Sequence, residues 1–253
     1  MRINKVINDK YLFLESEIES VPEFFSKKGQ EIKISRNETK VFDLQGIKTV
    51  VKRFKKITTA NRIIFANTSR FSKAHRAYNS SKRLLDIGLL SPEPIAYIDI
   101  FDNLLLTDCY YICRYVESES LESLFKRDNN EHIDILKSLG KCIFTLHENN
   151  IFLGDLNLGN ILYEKHDDTC NLYIIDNNRF FTKKANHKNR IKNFNRLEVN
   201  DEQLKEICDE YARLYGYNSI QLQNEIKVYR KRHIDFVDKK HSLKKIFSIQ
   251  KHK

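Results

Sequence analysis

Within Ile151-Phe-Leu-Gly-Asp-Leu-Asn-Leu-Gly-Asn-Ile-Leu162, Asp155 and Asn160 stand five residues apart, and Asp176 closes the apolar run Leu172-Tyr-Ile-Ile-Asp176. Phosphoryl transfer asks a protein for little covalent chemistry: oxygen ligands for magnesium, and one carboxylate beside the attacking hydroxyl. In that chemistry Asp155 accepts the hydroxyl proton, while Asn160 and Asp176 offer oxygens to ions that bridge the phosphates of ATP. Taken one at a time these are ordinary turn residues, and Gly154 and Gly159 mark a loop whatever its job. The joint spacing carries the signal.

Such a loop needs anchors. Ile151, Leu156, Ile161, Leu162, Ile174 and Ile175 fit short strands that hold the backbone against a core while the polar tips stay outside. Upstream, residues 31–35, 40–44 and 47–54 read as a three-stranded meander with turns at Arg36–Thr39 and Gln45-Gly46. Lys52 sits in the last strand, in Val50-Val-Lys-Arg-Phe54, about a hundred residues before Asp155. A lysine so placed, before a helix, matches the strand lysine that pairs with ATP phosphates.

The remaining elements follow from periodicity and punctuation. Residues 11–25 read as a helix and strand entry. Ser72 to Ile87 reads as a helix ended by Gly88, with Pro92 and Pro94 barring its continuation. Residues 95–100 and 110–116 follow as strands, and Glu117 to Ser120 fits a hinge under which adenine would lie. The spacing predicts helices over 131–149, over 201–215 with Asn200 or Asp201 as cap and Gly216 as stop, and over 219–236. His147, near the end of the first of these, is expected to pack and to brace the loop that follows.

The chain has 253 residues and a net charge of +10, and three prolines and seven glycines leave little room for linkers. No apolar run approaches the roughly 20 residues that a membrane span needs, and the first ten residues lack a signal-peptide core. Five cysteines without a CxxC pair read as reduced packing residues of a cytoplasmic protein. The positive charge is uneven: eleven Lys or Arg and no acid from Leu44 to Leu85, seven and no acid from Asn177 to Leu197, and six lysines from Lys239 to Lys253. Charge runs need no partner, but such patches attract phosphate-rich ones.

The stretches Arg36–Phe42, Val51–Lys56, Ser72–Tyr78, Pro92–Tyr97, Gly154–Leu162, Asp176–Arg179 and Lys192–Leu197 together resemble the lipopolysaccharide core kinases, the Kdo and heptose kinase family. The resemblance runs from about Lys10 to His233. It implies a protein-kinase-like α+β fold in two lobes: a small antiparallel-sheet lobe at 1–116, a mainly helical lobe at 117–238, and a basic tail at 239–253. It also implies transfer of the ATP γ-phosphate to a sugar hydroxyl of the lipid A-linked inner core. Asp155 is then the base, Asn160 and Asp176 hold Mg2+, and Lys52, Asn37 and Glu117 bind ATP. Lys183, Lys184, Lys188, Arg190 and Lys192 face the acceptor. A cytoplasmic protein touching the anionic inner face of the inner membrane is expected, and nucleic acid is not an expected partner.

Three positions depart from the kinase pattern. Leu153 replaces the usual loop histidine, His75 stands in the place of the helix glutamate that pairs with the strand lysine, and Asp176-Asn-Asn replaces Asp-Phe-Gly. Lys52 must then be oriented by Asp176 or by the nucleotide, or not at all. Another small-molecule or protein kinase, and a pseudokinase that binds nucleotide or lipid without catalysis, remain the alternatives.

Overall fold

The computed structural model describes residues 2–34, 37–54, 71–103, 105–127, 132–166 and 169–249, with the side chains of the last helix seen as far as Asp235. The basic stretch from Lys55 to Arg70 and the side chains of Lys239 to Lys253 lie outside the described residues. Two compact units divide the chain: Met1–Glu119 with Tyr173–Phe180, and Ser120–Leu172 with Phe181–Lys253. Asp176 therefore belongs to the first unit, whereas the sequence places it with the helical lobe.

Unit 1 is built on a six-stranded sheet of β1 (Arg2–Ile7), β2 (Gln30–Ile34), β3 (Glu38–Leu44), β4 (Ile47–Arg53), β5 (Pro94–Asp102) and β6 (Leu105–Arg114). Its order is β1-β5-β6-β4-β3-β2, with antiparallel neighbours throughout. The expected meander is β2 to β4. Gln45 and Gly46 join its last two strands with φ of 50° and 79°, the paired positive angles of the turn whose twist matches the strands. Asp43 accepts from the Gly46 amide at 2.7 Å.

Both faces of this sheet are covered. On one, Leu14, Ile18, Val21 and Phe25, from and around helix α1 (Glu15–Phe24), pack on Phe42, Val51, Ile98 and Ile112. On the other, Ala74, Ala77 and Tyr78 of helix α2 (Lys73–Asp86) pack on Tyr97, Cys109 and Tyr111. Ser72 caps α2 by accepting from the His75 amide, and Gly88 with φ 77° follows its end. Strand β1 has no counterpart in the sequence reading. It is an edge strand with mostly exposed side chains, so it lacks the apolar alternation that marks a half-buried strand.

Unit 2 contains helices α3 (Leu121–Arg127), α4 (Ile133–Glu148), α5 (His187–Asn193), α6 (Asp201–Tyr215) and α7 (Ser219–Ile249). Helix α4 crosses α6 at Gly140, where an added Cβ would lie 2.6 Å from the Ile207 carbonyl oxygen. Asn200 and Gln203 form a reciprocal capping box at the start of α6, and Gly216 with φ 68° ends it. Strand β7 (Glu119–Ser120) leads into α3, and strand β8 (Ile151–Leu153) follows α4. Further strands lie at Ile161–His166 and Thr169–Ile174, which pair with each other, and at Phe180–Thr182, which pairs with β8. Helix α7 runs on past residue 236, through the segment that the sequence reads as a separate tail. No Gly or Pro follows Gly216, so nothing in the chain stops it.

Candidate functional site

In unit 1 the pleat of β4 sets Val51 into the core beneath α1 and turns Lys52 to the other face. The Lys52 Nζ lies 2.5 Å from Asp176 Oδ1, and the side chains are 16% and 34% exposed. With no acid between Leu44 and Leu85, Asp176 is the carboxylate that orients this lysine. Asp176 itself has a left-handed backbone, φ 53° and ψ 39°, a conformation that Asp tolerates better than most residues. Asn178 Nδ2 donates to the same Oδ1 at 2.5 Å.

The segment around Asp176 is tied to α2 and β6. The Ile174 amide donates to Leu90 O at 2.9 Å, and Ser91 Oγ donates to Ile174 O at 3.0 Å. The buried Asn177 amide lies 2.9 Å from Ser81 Oγ in either orientation of the amide. Ser81 Oγ in turn meets the Tyr111 hydroxyl at 2.7 Å and the Ser91 hydroxyl at 3.1 Å. His75 stacks between Phe71 and Tyr97, with ring centres 4.1 and 4.5 Å away, and burial pushes its pKa down. It fills the helix-glutamate position as a neutral ring. Asn37 stands half-buried just before β3. Glu117 is 87% exposed and 3.9 Å from Lys48 Nζ.

In unit 2 the loop after β8 folds on its own amides. Asn160 Nδ2 and Asn157 Nδ2 both donate to the Asp155 carbonyl, at 3.0 and 3.2 Å. This spends the nitrogen of Asn160 inside the loop and keeps its oxygen, the metal-competent atom, out of that bond. Arg196 Nη1 donates to Asp155 Oδ1 at 2.8 Å.

Leu153 leaves the loop without its own histidine, and His147 acts in its place through an intermediary. Asn193 Nδ2 donates to Leu153 O at 2.8 Å, and Asn193 Oδ1 is 3.0 Å from His147 Nε2. His147 Nδ1 is 2.8 Å from the Tyr211 hydroxyl, to which Arg190 Nη1 donates at 3.2 Å. The chain of donors assigns the proton of His147 to Nε2. The histidine is fully buried, and burial pushes its pKa down to about 4. It is therefore a neutral brace rather than a proton carrier.

Arg190 is a correction to the expected acceptor-side set. It is buried, its Nε donates to Ala185 O, its Nη2 reaches Glu148, and its guanidinium lies 4.5 Å over the Tyr215 ring. Each of its three nitrogens makes a hydrogen bond inside the protein, so it is held inward rather than presented to an acceptor. A run of basic residues does not show which member turns inward. Of the others, Lys183 and Lys192 line a pocket of about 270 Å³ with Phe152, Phe181, Arg196 and His233, whereas Lys184 and Lys188 are exposed outside that lining. Sequence reasoning missed Arg196, Asn193 and Tyr211. Their one signal is that Asn193 and Arg196 fall within Lys192–Leu197.

Taken within each unit, the donor types are ones that magnesium and ATP phosphates take. Asp176 offers a hard carboxylate, Asn160 an amide oxygen, and Lys52 an ammonium for phosphate. Among the described residues, no group of three or more His, Cys, Asp or Glu side chains could hold a metal ion, so magnesium would depend on Asp176, the Asn160 amide oxygen and the nucleotide's own phosphates.

Comparison with solved structures finds "WaaP in complex with acyl carrier protein", with a TM-score of 0.65 and 14% identity over 93% of this chain and 98% of that one. It also finds the Cydia pomonella granulovirus kinase PK-1, with a TM-score of 0.43 and 19% identity over 66% and 57% of the two chains. The fold is thus the protein-kinase-like α+β fold. A search of curated proteins returns no match. The family model for the lipopolysaccharide kinase (Kdo/WaaP) family matches residues 35–217, well over half of the chain, and the protein belongs to that family.

Proposed function

We propose that the protein is an ATP- and magnesium-dependent kinase that phosphorylates a hydroxyl of an inner-core sugar, Kdo or heptose, on lipid A-linked saccharide. The observation that carries this reading is the 2.5 Å contact between Lys52 and Asp176. It joins the candidate phosphate-binding lysine to the candidate metal carboxylate without the helix glutamate, which answers the strongest objection to activity. Family membership supports phosphotransfer as the chemistry.

Each residue then has one task. Lys52 holds ATP phosphates, with Asn37 and Glu117 as the further nucleotide contacts. Asp176 and Asn160 hold magnesium, which when bound neutralises charge developing on the phosphates. Asp155 takes the acceptor proton, and Arg196 keeps its carboxylate oriented. Lys183 and Lys192 meet the acceptor. None of the described helices is long and apolar enough to cross a membrane. With a net charge of +10, a cytoplasmic place against the anionic inner face of the inner membrane suits such an acceptor.

Asp155→Ala tests the assignment. Transfer of radiolabelled γ-phosphate to purified lipopolysaccharide should fall by on the order of 10²–10⁴, the usual contribution of a general base, while ATP binding persists. Parental transfer by the variant would remove Asp155 from the mechanism. A mass spectrum of lipopolysaccharide from a deletion strain should lack one phosphate, and its position names the sugar.

A further inference from the structure

We propose that Asn178 is a positioning residue for Asp176: it holds the carboxylate so that Oδ1 stays with Lys52 while Oδ2 is left to magnesium, and one acid serves both lysine and metal. This rests on the kinase reading above. In the kinase pattern the strand lysine pairs with a helix glutamate, which leaves the aspartate to the metal. Here His75 stands at the glutamate position and no acid lies between Leu44 and Leu85, so both tasks fall on Asp176. An ammonium is a compact charge with three donors and attracts either carboxylate oxygen. A carboxylate held by the lysine alone could therefore turn both oxygens towards it and away from the metal.

The geometry within unit 1 prevents that turn. Asn178 Nδ2 donates to Asp176 Oδ1 at 2.5 Å, the same oxygen that Lys52 Nζ meets at 2.5 Å, and no described residue donates to Oδ2. The amide has one orientation, because its oxygen in that place would set two acceptors face to face. Asn178 is buried, and its place is set by the single helical turn Asn177–Arg179, which the Phe180 amide closes on Asn177 O. The left-handed backbone of Asp176 bends the chain just before that turn and brings the side chain two residues on against its carboxylate. Two neighbouring asparagines thus divide the work: Asn177 reaches α2 through Ser81 Oγ, and Asn178 reaches back to Asp176. On the other side Lys52 is steadied over the buried Phe54 ring, with Nζ 5.3 Å from its centre. The glycine of Asp-Phe-Gly would have no side-chain donor to offer here.

The test measures metal coupling apart from transfer. Calorimetric titration of the full-length protein with a non-hydrolysable ATP analogue, with and without magnesium, gives the factor by which the metal tightens nucleotide binding. Asn178→Leu keeps the volume and removes the donor, and Asn178→Ala serves where the first variant does not fold. In either, the magnesium factor should fall by about tenfold, the size of one charge-assisted hydrogen bond, while metal-free affinity stays at the parental value. In an Asp176→Asn background the same substitution should cause no further loss, because a residue that acts through Asp176 then has nothing to position. A merely structural role would lower both affinities and add to the effect of Asp176→Asn. An unchanged magnesium factor, or additive losses, overturns the proposal even where the parent transfers phosphate to lipopolysaccharide. Magnesium coupling that depends on Asn178, in a protein that transfers phosphate to no acceptor, would sustain the positioning role and sink the kinase reading instead. Nucleotide binding that ignores magnesium in the parent overturns both.

Discussion

Asp176 and Asp155 both sit in loops, yet the network beside the first is branched, whereas the hydrogen bonds that run beneath the loop of the second form a single file. Beside Asp176, Ser81 Oγ meets Asn177, Ser91 and Tyr111, so each link has an alternative. Beneath Asp155, the line runs Arg190, Tyr211, His147, Asn193, Leu153, with one partner on each side of every member. The first arrangement should tolerate loss of a link. The second should fail wherever it is cut, because a buried polar group left alone costs more than a bond gained.

The largest effect is expected where a charge acts directly. Asp176→Asn removes the carboxylate that would face magnesium and that now pairs with Lys52. Transfer should fall by on the order of 10³ in kcat/KM, in line with several kcal/mol of charge stabilisation by a bound cation. A magnesium titration of the variant checks this, since the midpoint should rise along with the loss of rate. An unchanged midpoint would detach Asp176 from the metal.

Four candidate residues can be named from the sequence because their types and spacings limit what they can do: Lys52 on a strand, Asp155 and Asn160 five apart, Asp176 after an apolar run. Helix ends were legible for the same local reason, from Ser72 and Gly88 around α2 and from Asn200 and Gly216 around α6. What supports the site was not. Arg196 reaches Asp155 across 41 residues and Asn193 reaches Leu153 across 40, and only the folded backbone brings them together. Arg190 was misplaced because charge patterning records sign and order, whereas burial is a tertiary property. Strand β1 escaped notice because pairing with β5, not its own side chains, makes it a strand.

Acid should separate the two units in sign. His147 in unit 2 has its pKa pushed by burial from 6.5 down to about 4. The unfolded chain therefore takes up the proton first: stability is complete above pH 6.5 and lost as pH falls through 4, on the order of 3 kcal/mol in all. Asp99 in unit 1 is pushed by burial from 3.8 up to about 6, against the opposing hydrogen bond of Ser72. Its contribution is complete below pH 3.8 and lost as pH rises through 6, again on the order of 3 kcal/mol. Native-state hydrogen exchange at pH 7 and pH 4.5 should show opening free energies falling in α4 and α6 while they rise in β5 and β6. Asp99→Asn should flatten the second response and leave the first. Parallel slopes in both units would break the comparison.

Cutting the single file comes next in size. Asn193→Leu keeps the shape of the side chain but leaves the Leu153 carbonyl and the His147 Nε2–H without partners inside the protein. Unfolding should require about 2 kcal/mol less, the middle of the range for stranded buried polar groups. The transfer rate should drop as well, because the Leu153–Asp155 backbone loses its tether. Denaturant titration and kcat measured on the same preparation decide whether the tether matters to chemistry. A destabilised variant with parental kcat would confine the file to stability.

The smallest effect tests the branched side. Tyr111→Phe removes one hydroxyl from Ser81, which keeps Asn177 at 2.9 Å and Ser91 at 3.1 Å. No buried polar group is stranded: the tyrosine hydroxyl leaves with its own hydrogen-bonding needs, and the ring stays packed among Cys113, Tyr97 and Tyr78. The loss should be about 1 kcal/mol, that of a net hydrogen bond rather than of an unsatisfied group. Asn177 remains tied to α2, so Asp176 should keep its place and the magnesium midpoint should stay at the parental value. Denaturation midpoints of Tyr111→Phe and Asn193→Leu, measured side by side, make the comparison quantitative. A loss in Tyr111→Phe as large as in Asn193→Leu, or a shifted magnesium midpoint, would mean that the branches around Ser81 act as one chain and that redundancy does not distinguish the two supports.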